Sequence, residues 1–356
     1  MRYLAFFLLT LACVAFQKQQ NTPAGAALGR PQKIPAPGDA EYIAEDPRLT
    51  QLVGTPGPAI TLQAIDGTLV DLADSYGKKP IYLKLWASYC IPCRAQMPKF
   101  ENIYESVGDR IQVIAVNAGV GDDAAKVASF VAKTGMHMPI AIDDGSLGAW
   151  LKMDSTPLHL VIGRDGRIVF AGHQDGPGLD AAIQRALDGA APRTPVKTVA
   201  VNRLTALKWG DAVPAITLTG SDGSKVELKG GDTGHPRALL FTSIWCESYL
   251  KDIEPQSVEN CRRARTEAAQ FAQSGSVQWL GVVTNLWTTP ESLGEYRSKT
   301  KQNFPYVVDT GGTAFRIFGI RRFPAVALID AGGRLRRVVG PDDRDLAEAL
   351  KILARP

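Results

Sequence analysis

One stretch of this chain is written twice. Pro58-Ala59-Ile60-Thr61-Leu62 runs through Asp66-Gly67 to Leu69-Val70-Asp71-Leu72, and Pro214-Ala215-Ile216-Thr217-Leu218 runs through Asp222-Gly223 to Val226-Glu227-Leu228. At the same spacing, Cys90 falls on Cys246 with no gap between. Further on, Ser155-Thr156-Pro157-Leu158 is answered by Arg322-Phe323-Pro324-Ala325, and Gly166-Arg167 by Gly333-Arg334. The second copy therefore carries an insertion between Cys246 and Pro324. A tandem duplication asks each copy to repeat one structural plan.

That plan is legible in the periodicity. Each copy opens with alternating residues around Asp-Gly, a hairpin signal. In the first copy the apolar run 81–85 reads as a buried strand and 95–107 as a helix with one apolar side. Strands at 111–117, 140–143, 158–162 and 167–171 alternate with helices at 122–134, 147–151 and 179–187. The second copy repeats this with strands at 277–283, 306–308, 325–329 and 335–339 and helices at 290–300, 313–318 and 344–353. Alternation of this kind predicts an α/β fold, a mixed central sheet flanked by helices with an N-terminal hairpin, twice over. The expected division is a signal peptide at 1–26, a flexible linker at 27–51, one domain at 52–190, a linker at 191–208 and a second domain at 209–356.

Between the strand and helix of the first copy lies Trp86-Ala87-Ser88-Tyr89-Cys90-Ile91-Pro92-Cys93-Arg94. Cys90 would sit at a helix N-terminus, where unpaired N–H groups and the helix dipole favour a thiolate. Cys93, one turn on, could attack a mixed disulfide formed at Cys90. Pro92 in the first turn gives up no needed hydrogen bond. A structural zinc site would need a second ligand pair, and the four histidines show no such spacing. A dithiol of this kind could instead hold Cu(I).

The formal charge is only +4. No stacking aromatics alternate with Arg262-Arg263, Arg321-Arg322 or Arg334-Leu335-Arg336-Arg337, so nucleic acid is not an expected partner. Residues 1–16 combine Arg2 with a short apolar run, which reads as a secretory signal. Acylation at Cys13, as in a lipoprotein, is the weaker alternative. An exported chain would keep Cys90, Cys93, Cys246 and Cys261 in an oxidising compartment.

The motif from Trp86 to Pro98, with Thr156-Pro157 and Arg164-Asp165-Gly166, resembles the TlpA/ResA (redoxin) branch of the thioredoxin superfamily. The resemblance implies an exported thiol-disulfide oxidoreductase of the periplasm or cell envelope. Its substrates would be protein disulfides, its electrons would come from an upstream thiol donor or a membrane redox partner, and it would need no cofactor beyond the Cys90–Cys93 disulfide and no metal. It assigns the nucleophile to Cys90, resolution to Cys93 and a cis bond to Thr156–Pro157. Trp86 reads as packing beside the disulfide or as plain core, and both can hold. Substrate would pair edge to edge with the Thr156 backbone. This chemistry asks that Cys90 face an extended loop and that neither sulfur lie in the interior.

Two positions depart from the family. Lys84 stands where thioredoxin itself carries a buried acid, and reads as a lysine snorkelling to the sheet surface. In the second copy Tyr249 takes the second-cysteine place. Cys246 is then a lone reactive thiol, a relic, or a partner of Cys261 in a bridge or second redox pair beside Pro324. Unbroken helix would hold Cys246 and Cys261 about 22 Å apart, so a bridge needs a break, which Pro255 could supply. Peroxide reduction is disfavoured because Leu239 stands where a peroxidase motif carries proline. The competing class is a non-enzymatic adaptor or copper-binding module on the same scaffold.

Overall fold

Strand pairing follows one scheme in both copies of the computed structural model, which describes residues 46–192 and 197–353. In the first, the sheet runs edge to edge through Leu69–Asp71, Thr61–Ala64, Ile140–Ile142, Gln112–Asn117, Ile81–Trp86, Leu158–Ile162 and Ile168–Gly172. In the second it runs through Lys225–Leu228, Ile216–Gly220, Tyr306–Asp309, Gln278–Thr284, Arg237–Thr242, Ala325–Ile329 and Leu335–Val339. Each central strand pairs parallel on one side and antiparallel on the other. The predicted mixed sheets with N-terminal hairpins are thus present twice.

The central strand Ile81–Trp86 is buried along its whole length. Its alternate residues go to opposite layers, as the period of two requires. Ile81, Leu83 and Leu85 join Leu72, Ile114, Val116 and Leu147 in one core. Tyr82 and Trp86 face the other way, toward Phe100 of the helix Ile91–Val107. That second core does not stop at the repeat boundary. It continues through Tyr89 into Trp245, Trp287, Phe323 and Phe241 of the second repeat.

The described parts of two stretches read as linkers, 46–51 and 197–208, are more ordered than expected. Pro47–Thr50 forms a helix capped by the Asp46 carboxylate, with Leu49 buried, inside the stretch 27–51. Leu49 joins the core beneath the sheet, and that burial fixes the segment. Within 191–208, Val199–Ala200 pairs parallel with Pro58–Ala59. Arg203 then bonds the Thr61 carbonyl and pairs with Asp144 at 3.3 Å, and the Leu207 N–H reaches the Ile317 carbonyl. The signal peptide at 1–26 and the Cys13 alternative lie outside the described residues. No helix among the described residues is long and apolar enough to cross a membrane.

Candidate active site

The helix that carries the cysteine pair begins at the cysteine. Cys90 is its N-cap, in extended conformation, and its Sγ accepts from the Cys93 N–H at 3.2 Å. This occupies one of the N-terminal N–H groups that a helix leaves unpaired. Cys90 and Cys93 are joined as a disulfide, with Cα atoms 5.2 Å apart. The loop leading in is braced by Asp122. Its carboxylate accepts from the Ser88 N–H at 2.7 Å, the Ser88 hydroxyl at 2.6 Å and Asn117 Nδ2 at 2.8 Å. Trp86 shares the disulfide's apolar cluster and packs on Phe130 at 5.1 Å. The Thr156–Pro157 bond is cis, and so is Phe323–Pro324.

Lys84 does not snorkel. It is fully buried on the face of its strand that meets the cysteine-bearing helix. Its Nζ donates to Gln96 Oε1 at 3.0 Å and lies 5.5 Å from the centre of the Phe100 ring. The strand is buried on both faces, and the ammonium meets the half-buried Gln96 amide instead of open solvent. Burial pushes the ammonium down to about 7. Gln96 Oε1 also meets His159 Nε2 at 3.0 Å, and the Tyr82 hydroxyl lies 2.7 Å from His159 Nδ1. Because Gln96 Oε1 can only accept, His159 carries its proton on Nε2, and its Nδ1 accepts a hydrogen bond from the Tyr82 hydroxyl. Burial holds this imidazole far below its ordinary range, hence neutral.

On its other side the Gln96 amide donates to the His173 carbonyl at 3.4 Å, and His173 Nδ1 donates to the Pro157 carbonyl at 2.6 Å. A largely buried polar chain, half-exposed only at Gln96, therefore ties the helix of Cys93 to the cis-proline segment. Gln96, His159 and His173 were not singled out from the sequence. The signal available was a lysine inside an apolar run, with two histidines in or beside another.

The open cysteine expected from the sequence is not found. Both sulfurs are 0% exposed. The second repeat lies over them. The Tyr249 hydroxyl accepts from the Ile91 N–H at 3.0 Å and donates to the Tyr89 carbonyl at 3.3 Å, on either side of Cys90. Tyr89 packs against Trp245 at 5.2 Å and Trp287 at 5.8 Å, and Phe323 lies 5.7 Å from Trp245. The Trp287 N–H donates to the Asp154 carbonyl at 2.7 Å, and Asn285 Nδ2 to the Met153 carbonyl at 2.8 Å. Gly121, at φ +75°, lets Phe323 approach; a Cβ there would stand 3.2 Å from that ring. Lys126–Glu254 at 2.7 Å and Arg322–Asp123 at 3.6 Å lie at the rim. Rim pairs of this kind contribute about 0–1 kcal/mol each. The aromatic contacts add about 0.5–1.5 kcal/mol each beyond their burial, so ring packing dominates the contact.

At the second repeat's own site, Cys246 and Cys261 are bonded with Cα atoms 6.4 Å apart. The helix is broken as this requires. A turn at Cys246–Tyr249 gives way to a 3-10 turn at Leu250–Asp252, and the helix Pro255–Ala272 starts afresh. Arg265 grips the Glu247 carboxylate at 2.6 and 3.0 Å alongside the disulfide. Both cysteines are buried.

A mixed sheet with a cysteine pair capping the helix after its central strand defines a thiol-disulfide oxidoreductase of the thioredoxin fold. The chain belongs to the Redoxin family, whose model matches residues 52–186 and again 208–353. Among curated proteins it is similar to the thiol-disulfide oxidoreductase ResA of Bacillus thuringiensis, 29% identical over 37% of this chain and 78% of that protein. The thioredoxin-like protein YneN of Bacillus subtilis is 31% identical over 32% of this chain and 68% of its own. Among solved structures, the exposed lipoprotein thioredoxin of Streptococcus pneumoniae is 27% identical, covering 36% of this chain and 97% of that one, with a TM-score of 0.31.

Proposed function

We propose that this chain reduces protein disulfides in the cell envelope through Cys90 and Cys93, with residues 52–190 as the catalytic domain and 209–356 as its companion. The observation that carries the reading is the Cys90 sulfur at the helix cap, accepting the Cys93 N–H. A thiolate in that place gains from the helix dipole and the N–H. The Cys90 thiolate attacks a substrate disulfide, forming a mixed disulfide and releasing one substrate thiolate. Cys93 gives up its proton and attacks the Cys90 sulfur, restoring the Cys90–Cys93 bond and releasing the second substrate thiol. Two electrons and two protons pass to the substrate. A donor dithiol returns the pair to its reduced form. Trp86, Thr156 and Pro157 flank this exchange, and Cys246, Cys261 and Pro324 form the corresponding structure in the companion. The envelope location is supported by the apolar N-terminal run.

The test is insulin reduction with a dithiol donor, beside mixed-disulfide trapping on Cys93→Ser. Turnover that disappears in Cys90→Ser, with trapped protein partners on Cys93→Ser, is the expected result. Stoichiometric Cu(I) binding without turnover would replace this reading with a copper-binding module. A reduction potential of about −270 mV marks a reductant, and one of about −120 mV an oxidant.

A further inference from the structure

We infer that the second repeat is a built-in occupant of the first repeat's substrate-facing surface: the Trp245–Tyr249 turn and Trp287 fill the place a protein disulfide must take to reach Cys90, and exchange requires the two repeats to part. The inference rests on the reading of Cys90 as nucleophile.

Three observations carry it. The hydroxyl that covers Cys90 belongs to Tyr249, which stands at the second-cysteine place of the degenerate site and bonds the backbone on both sides of Cys90. The Trp287 N–H pairs with the Asp154 carbonyl, just ahead of the Thr156–Pro157 segment. A backbone donor on that segment is what an extended substrate would offer. The face is also complete: Tyr89 is covered on two sides by Trp245 and Trp287, and neither sulfur of the Cys90–Cys93 pair is exposed.

The occupant is also built to be displaced. Trp287 sits at φ +52°, a left-handed conformation that is costly for a bulky residue, and its buried Nε1 has no hydrogen-bond partner among the described residues. The contact therefore carries local cost on the occupant's side. The Cys246–Cys261 bond and the Glu247–Arg265 pair hold the covering turn in shape from behind. A segment that brings an aromatic side chain to Tyr89 and a backbone N–H to Asp154 has the chemistry to take its place.

The test compares the oxidised full-length chain with Tyr249→Phe, which removes only the hydroxyl, and Trp287→Ala. Each is mixed with dithiothreitol, which is oxidised to its cyclic disulfide as the protein disulfide takes up two electrons and two protons. Alkylation at timed intervals and peptide mass mapping then read Cys90–Cys93 separately from Cys246–Cys261. The expected result is that Cys90–Cys93 reduction quickens about threefold in Tyr249→Phe and tenfold or more in Trp287→Ala, with insulin turnover rising in parallel. Should Trp287→Ala fail to fold, Tyr249→Phe carries the comparison. Unchanged reduction rates in the folded variants, with turnover intact, overturn the inference and leave the Cys90 mechanism standing. Faster reduction with no turnover in any form upholds the covering contact and overturns the nucleophile reading instead.

Discussion

Both repeats place a cysteine just past the end of the central strand, but they lay different backbone beneath it. In the first, the helix Ile91–Val107 starts at once, and Cys90 caps it with Cys93 one turn away. In the second, the turn after Cys246 ends at Tyr249, and the long helix restarts only at Pro255. The thiol that answers Cys246 is therefore Cys261, on the body of the restarted helix. One fold thus holds a pair that caps a helix and a pair that ties a short turn to a helix restarted beyond it. The difference lies in where the helix begins, because the helix start decides which sulfur meets unpaired N–H groups.

The largest test of that contrast is activity. Cys90→Ser is expected to lower insulin turnover about a thousandfold or more, as removal of a nucleophile does. The paired change Cys246→Ser with Cys261→Ser is expected to leave turnover within about threefold. Equal losses in both would erase the distinction between the two sites.

Stability should show the reverse. Opening the Cys246–Cys261 link, across a sequence separation of 15, is expected to cost about 3 kcal/mol by urea denaturation. A loss below about 0.5 kcal/mol would mean the bond braces nothing.

Lys84 sharpens the comparison on the first repeat's side. Its ammonium is pushed from 10.5 down to about 7 by burial. Below pH 7 it is charged whether the chain is folded or not, and the full burial cost opposes folding. Between about 7 and 10.5 only the unfolded chain binds the proton, so stability rises with pH. Lys84→Met is expected to add about 2 kcal/mol at pH 6 and to lose the rise toward pH 10. Parallel pH profiles for the two proteins would sink this account.

The smallest effect should be a match. Asp143 accepts from the Leu147 and Gly148 N–H groups, and Asp309 from those of Thr313 and Phe315. Burial pushes each carboxyl up to about 6. Each therefore contributes stability that is fully present below about pH 4 and is lost as pH rises through 6. Asp143→Asn and Asp309→Asn are expected to cost about 1 kcal/mol each at pH 7, agreeing within about 0.5 kcal/mol, and to flatten the profile between pH 4 and 6. Unequal costs would show that the repeats are not equivalent even away from their cysteines.

Much of this is legible because the signals are local. The strands at 158–162, 325–329 and 335–339 and the helix at 290–300 stand where periodicity put them. The cysteine pair could be placed because strand, turn and helix are neighbours in sequence. The snorkelling reading of Lys84 fails for a physical reason: a strand buried on both faces shows no alternation, so nothing in it says which way a lysine points. Its partner Gln96 lies on a different element, and His159 on another again. Tyr249 over Cys90 was illegible for the same reason on a larger scale. Each repeat reads as a complete fold, and periodicity within one says nothing of what the other rests against.

The pairing of Val199–Ala200 with Pro58–Ala59 sets how far the halves can travel. The chain is fastened to the first half as far as Arg203 and to the second from Leu207 onward. Full extension of the span between them reaches only about 14 Å. A door on so short a strap swings without ever leaving its frame. Any incoming protein therefore competes with a neighbour held at an effective concentration in the millimolar range, and the threshold for entry is set by the strap as much as by the aromatic latch.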